Sequence, residues 1–495
     1  MPATRVTAPR AFALMLLVVY AILCWRELGS GLEFDESYNL EVVRNLAEGR
    51  GYASNGSVQG TGLLLFDPFV STGPALLVPA AAAWGLTGSL AVTRLVPLAY
   101  FCLYLAASWI LGRRLAGHVG GLAALASPLL LVVGVRDLTT LSLVPGRFVG
   151  ELPACALLMA AAVLLAHRRT TVAVLGGLCA GLAIQTKLSF VTAAAVIGLV
   201  WLIAEYVAAR RLRLGRWLLV GMAAALPTTA FELYRRHVLG DGYAANIEAL
   251  RAFVSSQAQS PPFRASGARL KTFPELLSGP GIWLLVGACL LAAVVELRRR
   301  RARVAPHARD AQERVEVALA AAVFGAGCVL GLLWLFRSIQ PSLRQGLPTA
   351  LLCLPVLAAV VTSVLLRAGG RDSTARVACV VVGVGLVGVV VYSGVRIAVG
   401  SDSHDMLEQQ RAAARVIEES GTPSLPMAGW WTIPEFQVLT DVPPSTTPGA
   451  SPPTVQVMTA VRALLERGSP DARAYSDQCA ETLYSSWSVL VCRTG

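Results

Sequence analysis

Charge is what this chain has least of. Asp, Glu, Lys and Arg make up 15% of its 495 residues, where a soluble globular protein carries about 25%. So few charges exclude a water-soluble domain of this length. The chain has 5 His, and no Cys/His spacing reads as a zinc site. No internal repeat is present, which argues against a transporter built from related halves. Short alternating segments are also missing, which excludes a membrane β-barrel.

Apolar runs are what the chain has in excess, with 55% hydrophobic residues and a mean hydropathy of +0.61. Runs rich in Leu, Val and Ala recur at 11–27, 91–112, 119–135, 149–166, 171–187, 189–208, 216–233, 280–297, 316–336, 345–366 and 376–399. Each suits a membrane-spanning helix. The stretch 72–87 is short and holds Pro74 and Pro79. The formal net charge of +12 collects in short loops: Arg113-Arg114, His167-Arg168-Arg169, 210–216, 298–303 and 367–376. That is the positive-inside pattern, not a nucleic-acid footprint. If 72–87 crossed the membrane, the Arg113-Arg114 loop would move outside. If it lies on or dips into the outer surface, every basic loop faces the cytoplasm.

The expectation is therefore an all-α polytopic membrane protein of the plasma (inner) membrane, with about eleven transmembrane helices and juxtamembrane helices in the first outer loop. The N-terminus is cytoplasmic, with Arg5 and Arg10 preceding a retained anchor. Residues 1–400 form the transmembrane unit. Residues 401–495 form a small extracytoplasmic α/β domain, with a helix over 404–419 and short strands at 424–431, 436–440 and 486–493. Of 10 cysteines, Cys479 and Cys492 lie in this polar region, where oxidising conditions would let them pair. Residues 234–277 read as a long outer loop, either a connector or a cover over a site.

This topology gathers polar residues on the outer face: Asp35, Glu36 and Asp67 in the first loop, Arg136, Asp137, Arg147 and Glu151 in the second, then Lys187, Arg337 and Arg344. Charges at mid-bilayer are costly, so these belong at helix ends or in a wet cavity. Asp35-Glu36 is the sharpest feature, an acidic pair just after the first span. Tyr38, Val42 and Leu46 follow at helical spacing, with Glu41, Arg44 and Glu48 on the other side. That pattern predicts an amphipathic helix lying on the outer surface. Asp35 reads either as a cap for a helix starting at Ser37 or as a chemical group. Glu36 reads as catalytic, as an acceptor or metal ligand, or as merely solvated. Glu151 suits either a substrate contact or the helix dipole. Arg147, Lys187, Arg337 and Arg344 are phosphate-binding candidates or interfacial anchors. Trp430-Trp431 suits sugar stacking or a core.

The run 34–52, with Leu-Ala-Glu-Gly-Arg-Gly-Tyr at 46–52, is followed by Ser71-Thr72-Gly73-Pro74, Arg94-Leu95 and Leu111-Gly112-Arg113-Arg114. Gly150-Glu151-Leu152-Pro153-Ala154 and 181–187, ending in Lys187, continue the series. Together these resemble the GT-C superfamily of integral membrane glycosyltransferases, in its protein O-mannosyltransferase and lipid A aminoarabinose transferase branch. The resemblance implies a polyprenyl-phosphate-linked sugar donor, a glycan, lipid or protein acceptor, and inverting transfer on the outer face. It implies Asp35 as general base and matches Lys187 to a recurring family lysine. Ser71-Thr72-Gly73-Pro74 replaces the His-Pro-Pro of O-mannosyltransferases, and the Glu-Lys-Pro stretch of aminoarabinose transferases is absent. A divalent metal, used by oligosaccharyltransferases of the superfamily, is left open. The alternative is a transporter or flippase of lipid-linked sugars. A third reading is a non-catalytic scaffold that binds a partner through its C-terminal domain.

Overall fold

The computed structural model describes residues 7–56, 62–132, 145–210, 213–258, 280–301, 311–337, 343–369, 373–399, 402–423, 425, 433–442, 455–459, 477, 479–486 and 489–494. Among these, 7 helices are long and apolar enough to cross a membrane, and Pro74–Thr87, Glu151–Leu165, Thr170–Thr186 and Ile282–Val294 are shorter apolar helices. The chain is a multi-pass helical membrane protein.

In chain order the membrane helices are α1 (Thr7–Leu28), then, after the two longer helices of the first loop, α4 (Leu95–Ala126), α5 (Glu151–Leu165), α6 (Thr170–Thr186), α7 (Val191–Ala209) and α8 (Leu214–Leu239). Helix α9 (Tyr243–Ala258) follows, then α10 (Pro280–Arg301), α11 (Ala311–Arg337), α12 (Leu343–Gly369) and α13 (Ser373–Val399). The first-loop helices are α2 (Phe34–Ala47) and α3 (Pro74–Thr87). With 14 residues, α3 reaches about 21 Å, short of a hydrocarbon core of about 30 Å.

Helix α4 is broken at Ala116 and Gly117, where Gly117 takes a φ of 65°. The chain folds back there. A Cβ at Gly112 would meet the Gly120 carbonyl oxygen at 2.5 Å, whereas on a straight helix residues eight apart are separated by about 12 Å. Arg114, beside this turn, pairs with Glu316 at 3.8 Å.

Among the described residues, three apolar cores bear on the site. The largest unites the membrane helices around residues such as Leu16, Phe101, Leu158, Leu319 and Leu351. A second lies in the first loop and joins Leu40, Val42, Val43, Tyr52, Phe66, Leu76, Leu77 and Phe148 with Leu407 and Val438 from the C-terminal unit. The third is that unit's own, built on Ala413, Ile417, Phe436, Val457 and Val491.

The C-terminal unit contains α14 (Asp402–Glu419), α15 (Ile433–Leu439), β3 (Val455–Thr459), β4 (Cys479–Ser485) and β5 (Val489–Thr494). Its strands form an antiparallel sheet in the order β3-β5-β4. Cys479 and Cys492 form a disulfide across β4 and β5. Two expectations are corrected. Residues 436–439, expected as a strand, belong to helix α15. The expected outer loop from 234 is helical to 258, through the end of α8 and then α9. Residues 259–279, 426–432 with Trp430 and Trp431, and 133–144 with Arg136 and Asp137, lie outside the described residues.

Candidate functional site

Helix α2 begins at Phe34, with Glu33 as an N-cap that makes no side-chain cap bond. Asp35 and Glu36 stand in its first turn, where negative charge suits the helix dipole. Asp35 is therefore inside the helix and does not cap one starting at Ser37. The expected surface helix is also corrected. The Tyr38-Val42-Leu46 stripe is present, but Glu36, Leu40, Glu41, Val43 and Asn45 are buried as well. The other side is closed by the first-loop hairpin and by α15. Hairpin β1 (Ala53–Ser54) pairs with β2 (Leu64–Leu65), and Glu41 accepts from the Asn55 N–H at 2.9 Å. Arg44 donates to the carbonyls of Gln437 at 3.2 Å and Thr440 at 3.1 Å, and pairs with Asp441.

Beneath Asp35 runs a buried charge network. Arg94 Nε and Nη2 each donate at 3.0 Å to one oxygen of Glu36, and both side chains are 0% exposed. Arg94 also donates to the carbonyls of Glu27 at 3.2 Å and Ser30 at 2.6 Å, where α1 ends. Burial holds the Glu36 carboxyl above its usual range, and Arg94 and Arg147 offset only part of that. Both oxygens of Glu36, expected as the catalytic partner of Asp35, are thus held by a guanidinium fork. Arg147, expected as a phosphate ligand, lies in the same network. It is buried, paired with Glu33 and 3.8 Å from Glu27. Burial opposes its charge, but Glu33, Glu27 and Glu36 outweigh that and raise its guanidinium above the usual range.

One turn beyond Asp35, Asn39 donates to Thr72 Oγ1 at 3.1 Å and to the Phe148 carbonyl at 2.7 Å. The Tyr52 hydroxyl donates to the Thr72 carbonyl at 3.0 Å, and the Gly73 N–H to the Thr186 carbonyl at 2.8 Å. Lys187 follows at the end of α6, its Nζ 2.5 Å from Glu151 Oε1 at the start of α5. The segments 34–52, 71–74, 150–154 and 181–187, far apart in sequence, converge here. Asp67 binds α2 to the hairpin, accepting from Ser54 Oγ at 2.5 Å and from the Tyr38 hydroxyl. The side chains of Arg337 and Arg344 lie outside the described residues.

Only glycine fits at 73. A Cβ there would fall 1.8 Å from the Gln185 carbonyl oxygen, a clash of backbone that no side chain can yield to. Gly73→Ala is expected to push the 72–73 segment off the Thr186–Lys187 turn. The result should be a loss of about 1–3 kcal/mol of stability and at least tenfold lower activity. A melting curve of purified protein beside an activity assay checks both.

Glu435, on α15, is 3% exposed. Burial, then the carboxylates of Glu33, Glu41 and Asp35, push it up to about 8. Its folded value lies above the unfolded one, about 4.3. It therefore contributes stability fully below pH ~4.3, and that stability is lost as pH rises through about 8. Thermal melts from pH 5 to 8.5 should show a decline in the wild type that is flattened in Glu435→Gln.

Reasoning from the sequence missed Arg94 as a group of the site, although a lone arginine between Thr93 and Leu95 was a usable signal. It also missed Asn39, Thr72 and Glu435, whose partners lie too far along the chain to suggest themselves. Among the described residues, no group of three or more His, Cys, Asp or Glu is arranged to hold a metal ion.

No protein-family model and no curated protein matches the sequence. Solved structures do. ArnT from Cupriavidus metallidurans in the apo state aligns over 98% of both chains at 14% identity, with a TM-score of 0.58. The same protein bound to undecaprenyl phosphate aligns over 97% of both at 13% identity and a TM-score of 0.59. The Archaeoglobus fulgidus oligosaccharyltransferase in its apo form aligns over 90% of this chain and 65% of its own, at 12% identity and a TM-score of 0.50. The fold of this chain is that of these neighbours, in line with the resemblance carried by its first-loop motifs.

Proposed function

We propose that the chain is an inverting membrane glycosyltransferase that moves a sugar from a polyprenyl-phosphate carrier to an acceptor hydroxyl on the extracytoplasmic face. One observation carries this reading: Asp35 and Lys187 stand on segments tied together through Asn39, Thr72, Gly73 and Thr186. The structural neighbour bound to undecaprenyl phosphate adds support.

In this reading Asp35 takes the proton of the acceptor hydroxyl. The hydroxyl oxygen bonds to the anomeric carbon from the face opposite the phosphate. The bond from that carbon to the phosphate oxygen breaks, and its electron pair leaves with the polyprenyl phosphate. A carboxylate beside the reacting ring also favours the positive charge that builds there. Lys187, held in place by Glu151, meets the charge on the leaving phosphate. Arg337 and Arg344 are assigned the same task from sequence alone.

About eleven spans follow if α4 counts as two and α5, α6 and α10 each cross. The basic loops then face the cytoplasm. The Cys479–Cys492 disulfide agrees with an oxidising exterior for the C-terminal unit, as in an inner-membrane protein with its C-terminus outside.

The test is mass spectrometry of lipids and envelope glycans from a deletion strain. A glycosyl group should disappear and return with the wild-type gene. An unchanged glycan and lipid profile overturns the proposal.

A further inference from the structure

The C-terminal unit touches the segment that carries Asp35 at four places. Gln410 of α14 accepts from the Leu32 N–H at 2.8 Å and donates to the Leu32 carbonyl at 2.9 Å, in full burial. Met406 lies so close to Gly31 that a Cβ there would meet its Cγ at 2.6 Å. Arg44 holds the far end of α15 through two carbonyls, and Val438 enters the apolar core beneath α2. Both the lead-in to α2 and its body are thus seated against this unit.

Such seating needs only apolar and paired groups, and the Glu435 carboxyl is neither apolar nor fully paired. It is buried, its Oε2 has no hydrogen-bond partner, and the nearby charges that act on it are Glu33, Glu41 and Asp35, all acidic. A buried polar atom left unpaired costs about 1–3 kcal/mol, and such an atom in a native structure calls for an explanation. A cation is a poor one, because no metal-holding group of three occurs among the described residues. Burial and the three carboxylates favour the neutral acid. A neutral acid offers one O–H donor beside its acceptor oxygen, which matches a sugar hydroxyl, itself both acceptor and donor.

We propose that Glu435 is a specificity residue of the sugar subsite, its carboxyl hydrogen-bonding a sugar hydroxyl next to Asp35, so that the C-terminal unit completes the site. This rests on the glycosyltransferase reading above. The hydroxyl belongs either to the donor sugar or to a sugar of the acceptor, and the experiment separates the two.

The full-length protein in nanodiscs is titrated with undecaprenyl phosphate and with undecaprenyl-phosphate-linked hexoses and pentoses, and the acceptor KM is measured in the transfer assay. Glu435→Leu should bind bare undecaprenyl phosphate as the wild type does. It should weaken by about tenfold, the size of one lost hydrogen bond, either for a sugar-bearing lipid or in acceptor KM. The first outcome assigns the donor, the second the acceptor. Glu435→Gln keeps a neutral donor and acceptor and should restore most of the loss. The proposal is overturned if Glu435→Leu leaves both quantities unchanged. It is equally overturned if bare undecaprenyl phosphate weakens to the same degree, which marks a merely structural role. Failure of the wild type to bind any polyprenyl phosphate is a different result, and it removes the glycosyltransferase reading together with this one.

Discussion

Asp35→Asn abolishes sugar transfer while leaving the chain folded and inserted: that is the expected result with the largest effect on activity. Asp35 and Glu36 are adjacent and chemically alike, yet their surroundings differ. Glu36 is fully enclosed and held by Arg94, whereas Asp35 is half-buried in the first turn of α2. The exchange leaves the Glu36–Arg94 fork, the Arg147 cluster and the Asn39–Thr72 tie in place, so the melting temperature should hardly move. A positioned base contributes about 10²–10⁴-fold to rate, and activity should fall by that range. Complementation of a deletion strain, read by mass spectrometry of its glycans, measures the loss. Near-normal transfer by the variant would sink the assignment of the base.

Arg94→Met should cost the most stability. It leaves the Glu36 carboxylate buried without its partner and frees the carbonyls of Glu27 and Ser30. Removing one member of a buried ion pair costs about 3–5 kcal/mol. Replacing both members with apolar residues is often far milder, so Glu36→Leu/Arg94→Met should recover part of the loss. Recovery should be incomplete because the carbonyls at the end of α1 still lack their donor. Thermal unfolding of the purified variants in one detergent tests this order. A single variant as stable as the wild type would show that the fork holds nothing together.

The membrane helices were legible because lipid leaves the chain little choice. Every backbone polar group must be satisfied within the helix, so apolar length alone marks a span. Asp35 was legible as a candidate because two carboxylates directly after a span stand out against so little charge. Its neighbour's role was not, since Glu36 takes its meaning from Arg94, 58 positions away. The same holds for Arg147, whose pairing with Glu27 and Glu33 no local pattern announced.

The α15 segment shows most plainly why the sequence falls short there. Phe436 and Val438 alternate with polar residues and read as a strand, because alternation normally means one buried face. In the structure Phe436 enters the core of the C-terminal unit and Val438 the core of the first loop. Two positions apart on a helix lie on nearly opposite sides, so a helix held between two cores produces the same alternation. By itself, then, the sequence determined a multi-pass helical membrane protein with an acidic pair just after its first span, since both follow from local hydrophobicity and charge. Only the tertiary structure decided which carboxylate is anchored, that α2 is enclosed and not lying on the surface, and that Glu435 faces the same acidic ground as Asp35, because each depends on contacts between segments far apart in the chain.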